Sequence, residues 1–302
     1  MLVSMIAAIV AAVFYGVASV MQAIAVRAAS HREPEDAASG GVDPGLVVRM
    51  LHQWRFVASI CLDALGFLAQ LVALQRLPLF VVQAFVASNL AVTAVCAAWL
   101  MRARLAAREW LAVAGVVAGV SLLGLSAGSE GAAKVGREFE LGLIVAVAAV
   151  GVAGFAVARL PNPVRTPALG AIAGLGYGAL AVAARILPGF GPLQLVRSPA
   201  AYTVAAAGIV SFLLYATALE GGSVTTATAA VILAETAPPA LVGVVFLGDK
   251  TRPGLTAVAA LGFVLAVVCA LALARFGEAS ERHEAAHARA EPAGAATGRR
   301  PA

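Results

Sequence analysis

Two carboxylates stand alone in long apolar stretches of this 302-residue chain. Asp63 is the only charged residue between Arg55 and Arg76, and Glu235 the only one between Gly221 and Gly248. Around the first, Ser59, Asp63, Gly66, Phe67 and Gln70 are spaced by four, three, one and three, so a helix carries a hydroxyl, a carboxylate and an amide on one face. Near the second, Thr228 lies two turns before Glu235, with Thr225 close by, and Pro238-Pro239 follows. A carboxylate in hydrocarbon is costly unless a partner or a function keeps it there. The chemistry that fits is binding of a cation or a proton; the structural alternative for Asp63 is an interhelical hydrogen-bonding face.

The two prolines sharpen the reading of Glu235. A proline cannot bond to the carbonyl four residues back, so Pro238 frees that of Ala234 and Pro239 that of Glu235. The expectation is a helix bent or unwound over 234–239, with two carbonyl oxygens beside a carboxylate, as in the broken helices of transporters. The structural alternative is a kink whose carbonyls are satisfied by threonine or water. Further candidates for substrate contact are Gln22, one turn from Ser19 and two from Tyr15, then Asn89 and Gln83, with Tyr15 and Tyr177 flanking a cavity. There is no Walker sequence, no nucleophile–base pair and no soluble metal-ligand spacing, so neither enzymatic activity nor a cofactor is implied.

The elements that must position these residues are membrane helices. Hydrophobic residues make up 61% of the chain and charged ones 12%, a balance no soluble domain of this length covers with a polar surface. Nine runs reach the length needed to cross hydrocarbon: 3–27, 52–75, 77–100, 109–127, 141–160, 167–187, 200–219, 223–247 and 253–275. The first is expected to be a retained helix, because no basic residue precedes Arg27. Cys61 and Cys96 fall inside apolar runs, so no disulfide framework is implied. The formal charge of +5 comes from basic residues beside helix ends, which reads as membrane topology and not as nucleic-acid binding.

Arg76, Lys134, Arg137, Arg185, Arg197, Lys250 and Arg252 fall on one side of a nine-span chain, and the other fourteen of the 21 basic residues on the opposite side. This bias places the N-terminus outside and the C-terminus in the cytoplasm of a multi-pass cell-membrane protein. The chain also repeats itself. Phe14-Tyr15-Gly16-Val17-Ala18 returns as Gly176-Tyr177-Gly178-Ala179-Leu180, Gly66-Phe67-Leu68-Ala69 as Ser211-Phe212-Leu213-Leu214, and Gly115 in span four corresponds to Gly262 in span nine. An offset of five spans inverts the second copy, the pattern of alternating-access transporters with a midplane site. The reading is an all-α polytopic protein with inverted four-helix repeats over 1–127 and 167–275, a linking helix over 141–160, and a cytoplasmic tail over 276–302 that is disordered or a frayed helix.

The stretch Leu62-Asp63-Ala64-Leu65-Gly66-Phe67-Leu68-Ala69-Gln70, followed by Val81-Val82-Gln83-Ala84-Phe85, resembles a signature of the NIPA-like magnesium transporters, a branch of the drug/metabolite transporter superfamily. That signature reads Gly-Glu-x-x-Asn-Phe-x-Ala-Tyr, then Val-x-Pro-Leu-Gly. Asp63 takes the place of the glutamate and Phe67 and Ala69 match, whereas Gly66 replaces the asparagine, Gln70 the tyrosine, and the Pro-Leu-Gly segment is lost. The resemblance implies two inverted helical repeats and transport of a small cation, with magnesium as the implied ion and Asp63 and Glu235 as its carboxylates. Substrate contacts are then expected at Asp63, Gln70, Thr228, Glu235, Gln22, Asn89, Tyr15 and Tyr177. The alternatives are a proton-coupled exporter of small organic metabolites or organic cations, and a non-transporting membrane scaffold. Partners are the lipid bilayer and the transported cation or metabolite, with a second copy of the chain as a further candidate and no nucleic acid. Single cysteines introduced at Ser39 and Ser280 should be labelled by an impermeant reagent from the same, cytoplasmic side; labelling from opposite sides would overturn the nine-span count.

Overall fold

A computed structural model describes residues 2–30, 54–101, 106–129, 131, 135–161, 164–189, 191–219 and 224–290. Among them the chain is all α-helix apart from one isolated bridge, Ala127 with Thr251. Among the described residues nine segments are long and apolar enough to cross a membrane, and the protein is an all-α polytopic membrane protein. Span one is α1 (Leu2–Ser30) and span two α2 (Trp54–Leu74). Span three is split into α3 (Leu79–Ala87) and α4 (Asn89–Met101). Spans four to six are α5 (Ala107–Ser126), α6 (Arg137–Val157) and α7 (Arg165–Arg185). A short α8 (Pro192–Arg197) precedes α9 (Pro199–Leu219), α10 (Val224–Val245) and α11 (Thr256–Ala290), which form spans seven to nine.

The expected unwinding of span eight is corrected. The helix of span eight is continuous through Pro238 and Pro239 and does not unwind over 234–239. The interruption lies instead in span three, at Ser88, where the amide is shared between the carbonyls of Ala84 and Phe85 and the hydroxyl donates to Phe85 O at 2.6 Å. A serine that bonds back to its own turn competes with the helix ladder in this way. At the other end of the chain α11 runs on to Ala290, so 276–290 is helix; 291–302 lie outside the described residues.

Neighbour relations follow the two halves. The pair α1 and α2 packs together, as does α7 with α9; α1 also meets α3 and α4, as α7 meets α10. Spans four and nine, α5 and α11, cross backbone to backbone: a Cβ added to Gly119 would lie 2.6 Å from Ala266 N, and one added to Gly262 would lie 2.8 Å from Gly119 O. Only glycine permits that approach. The linking span α6 is peripheral, packed on α7 and α9, with Val147 and Gly154 its only buried residues. At the centre is α3, every residue of which is buried, packed against α10.

The loops after spans two, four and eight and the end of span six meet on one membrane side. Gly248 ends the α10 turn in the left-handed conformation (φ +73°), and Asp249 N bonds back to Gly243 O at 2.9 Å. This delivers the Asp249 carboxylate into the protein, where one oxygen accepts from the first amide of α3, Leu79 N, at 2.5 Å. The other accepts from Gly131 N at 2.9 Å and lies 3.4 Å from an Arg185 guanidinium nitrogen. Arg185 in turn donates to Leu74 O, at the end of α2. Beside this node the chain segments after spans four and eight pair as a short ribbon, with Gly128 N on Lys250 O, Lys250 N on Ser129 O and Arg252 N on Ser126 O. Asp249→Ala should lower stability by about 3 kcal/mol or more, because removing one member of a buried pair strands the other. Asp249→Asn, which keeps an acceptor for Leu79 N, should cost less; unfolding of the purified variants in detergent measures both.

Candidate functional site

The helix crossings gather the polar side chains of several spans into one column. Gly66 and Tyr15 face each other on α2 and α1, where a Cβ at Gly66 would lie 3.2 Å from the tyrosine ring. From there the Tyr15 hydroxyl donates to Gln70 Oε1 at 2.7 Å. Gln70 itself is buried and Tyr15 half-buried. In the second half the hydroxyls of Tyr215 on α9 and Thr228 on α10 share a hydrogen bond of 2.9 Å. Tyr177, Asp63 and Glu235 lie near the middles of α7, α2 and α10. Asp63 and Glu235 each act electrostatically on the hydroxyls of both Tyr15 and Tyr177, Tyr177 interacts with both Tyr15 and Tyr215, and Glu235 reaches Tyr215 as well.

Six of the eight expected contacts, Asp63, Gln70, Thr228, Glu235, Tyr15 and Tyr177, therefore belong to one cluster. Gln70 lies near the end of α2 and Thr228 near the start of α10, which are on opposite sides of the membrane in a nine-span chain. The hydrogen-bonded pairs thus cap the column towards the two sides, with the acids between them. Asn89 begins α4 at the break in span three, where its carbonyl accepts from Thr93 Oγ1 at 2.9 Å. Gln22 lies in α1, and its side chain, like that of Thr225, is outside the described residues.

The expected carbonyl ligands are corrected at one of the two positions. Glu235 O, which Pro239 leaves without a helix donor, accepts instead from Gln83 Nε2 of α3 at 2.8 Å. That oxygen is satisfied by the protein. The Ala234 carbonyl faces α7, 3.5 Å from where a Cβ at Gly178 would be.

Tyr215 was not singled out by the sequence reading, although the repeat marks it. Extending Gly66-Phe67-Leu68-Ala69 to Gln70 and its counterpart Ser211-Phe212-Leu213-Leu214 by one residue sets Tyr215 against Gln70. The contacts agree with that alignment. Gly16, after Tyr15, approaches Val92 and the Asn89 carbonyl; Gly178, after Tyr177, approaches Pro239 and the Ala234 carbonyl. A Cβ at either position would press on the partner side chain, at 2.6 Å from Val92 Cβ and 2.7 Å from Pro239 Cγ.

Two grooves, of about 720 Å³ and 560 Å³, open on the bundle, the second lined in part by Gly178, Pro238 and Pro239. One lies among α1, α3, α4 and α5 and the other among α6, α7 and α10; neither includes Asp63 or Glu235. Their walls are mostly apolar, with exposed side chains such as Ile9, Val117, Leu125 and Phe246, and each holds one charged residue, Arg252 in the first and Glu138 in the second.

No family model, no curated protein and no solved structure matches this chain. The site must be judged on its own chemistry. If Tyr15 and Gln70 act as a pair, Tyr15→Phe should cost about 1–3 kcal/mol by leaving a buried amide oxygen without a donor. The double variant with Gln70→Leu should then cost less than the two single losses added together, a coupling near 1 kcal/mol readable in a double-mutant cycle of detergent unfolding.

Proposed function

We propose that this protein is a secondary, alternating-access transporter of a small cation, set in the cell membrane with its N-terminus outside and its C-terminus in the cytoplasm. The observation that carries the reading is the cluster itself: two carboxylates at mid-span, within electrostatic reach of tyrosine hydroxyls, with a hydrogen-bonded pair towards each membrane side. A scaffold has no use for two acids inside hydrocarbon, whereas a transported cation needs negative charge and polar oxygens where it crosses the midplane. The matched contacts of Gly16 and Gly178, and the shared pairing of spans one with two and six with seven, support two inverted halves that move against one another.

Magnesium, the ion implied by the family resemblance, binds to few protein carboxylates and retains part of its water. Asp63 and Glu235 could serve such a hydrated ion. A second reading is favoured by a specific observation: Tyr15 and Tyr177 lie within electrostatic reach of both acids and Tyr215 within reach of Glu235, while the Glu235 carbonyl is already occupied by Gln83. Tyrosine faces and a carboxylate also suit an organic ammonium ion, with attraction of the cation to the rings adding to the ion pair.

In either case the cation binds the ionised acids and protons compete for them. Apparent affinity should therefore weaken as pH is lowered, and binding should release protons. Uptake into proteoliposomes should be measured with magnesium, other divalent ions and a panel of amines. Glu235→Gln and Asp63→Asn should each lower transport efficiency by roughly tenfold or more, the scale of one charge-assisted contact. Uptake of amines without any of magnesium would remove the metal reading; undiminished transport by both variants would remove the mechanism.

A further inference from the structure

We infer that Gln83 is a positioning residue for Glu235, replacing across two helices the backbone bond that Pro239 removes. The inference deepens the proposed function, since it concerns the carboxylate on which that reading rests.

A continuous helix through Pro239 would leave the Glu235 carbonyl without a partner, because position 239 has no N–H to offer. An orphan carbonyl in an apolar interior is expensive, and helices at such points usually bend or unwind. Here α10 stays helical, and the missing donor comes from α3: Gln83 is fully buried and its Nε2 lies 2.8 Å from Glu235 O. The amide orientation follows from this contact, since Oε1 turned towards a carbonyl would be repelled. Gln83 Oε1, on the other side of the same amide, is buried and has no hydrogen-bond partner among the described residues. A buried amide half satisfied is worse for packing alone than leucine of similar size. What it supplies is a fixed point for the Glu235 backbone.

The placement of α3 gives that fixed point a reference. Its first amide, Leu79 N, is held by the Asp249 carboxylate, and Gln83 follows one turn later. One short, wholly buried helix thus spans from the loop clasp to the carboxylate site, and it belongs to the first half of the chain while Glu235 belongs to the second. The other groups that face Glu235 electrostatically are Tyr15 from α1, Tyr177 from α7 and Tyr215 from α9, with Asp63 of α2 acting on the same tyrosines. None of these sets the height of the Glu235 backbone along α10; Gln83 does.

The test uses the full-length protein in detergent and a readout that does not depend on transport. Modification of Glu235 by N,N′-dicyclohexylcarbodiimide, followed by mass spectrometry across a pH series, reports the surroundings of that carboxyl. Gln83→Leu should change the modification rate at fixed pH by roughly fivefold or more, the equivalent of one lost hydrogen bond. Adding Pro239→Ala restores an N–H that bonds Glu235 O within the helix, so Gln83→Leu/Pro239→Ala should return to within about twofold of the unaltered protein, well inside the effect of one hydrogen bond. In proteoliposomes Gln83→Leu should raise KM for the transported cation while leaving Vmax little changed, again with recovery in the double variant. If Gln83→Leu fails to fold, the double variant should fold, and equal failure of both overturns the inference. An unchanged labelling profile in Gln83→Leu, or a changed one that Pro239→Ala does not repair, overturns it as well. If the unaltered protein transports no cation but labelling changes and is repaired, the positioning role stands and the transporter reading falls.

Discussion

The Asp249 carboxylate is the interaction on which the rest of the arrangement depends. A charge buried near one end of a helical bundle is tolerable only when its lone pairs are filled, and here they are filled by two backbone amides and a guanidinium from three different parts of the chain. One of those amides opens α3, so the carboxylate also meets the positive end of a helix. Because Arg185 extends the network to the end of α2, the node ties spans two, three, six and eight together at one membrane side. Buried ion pairs add little net stability over a well-packed apolar replacement. Their value is in fixing which segments meet, and this one fixes the start of the helix that runs to the carboxylate site.

From that anchor the site follows by short steps. The helix α3 carries Gln83 to the point where Pro239 has left a carbonyl unpaired, and α10 remains helical there. Glycines after Tyr15 and Tyr177 let spans one and six approach spans three and eight closely enough for the tyrosines to share the fields of both acids. Each feature is modest alone. Together they hold two half-buried acids within an apolar bundle.

Much of this was legible in the sequence, for a physical reason. Hydrocarbon demands about 20 apolar residues per helix, so the spans stand out, and any charge inside them, such as Asp63 or Glu235, is conspicuous. Tandem landmarks such as Phe14-Tyr15-Gly16 and Gly176-Tyr177-Gly178 likewise marked Tyr15 and Tyr177. What escaped depends on partners distant along the chain. Asp249 reads as an ordinary turn residue after Gly248, since nothing local says that its carboxylate will cap a helix 170 positions away. The break at Ser88 has no proline or glycine to announce it, while the carbonyl that Pro239 frees is satisfied by an amide 152 positions distant. Tyr215 has no local signal of its own, because a tyrosine near a span end is common at membrane interfaces.

The two versions of the third helix in each half have a thermodynamic consequence. Perfectly matched halves would make the two alternative orientations of a rocking bundle equal in free energy, each half-populated without substrate. Span three is interrupted at Ser88 and span eight is continuous over two prolines, so the elements that would exchange roles are mechanically unlike. For the transporter proposed here, the empty protein then rests unevenly between its two orientations, and each tenfold of that imbalance corresponds to about 1.4 kcal/mol. The bias acts as a built-in preference for which membrane face meets solute first, set by backbone chemistry and independent of any gradient.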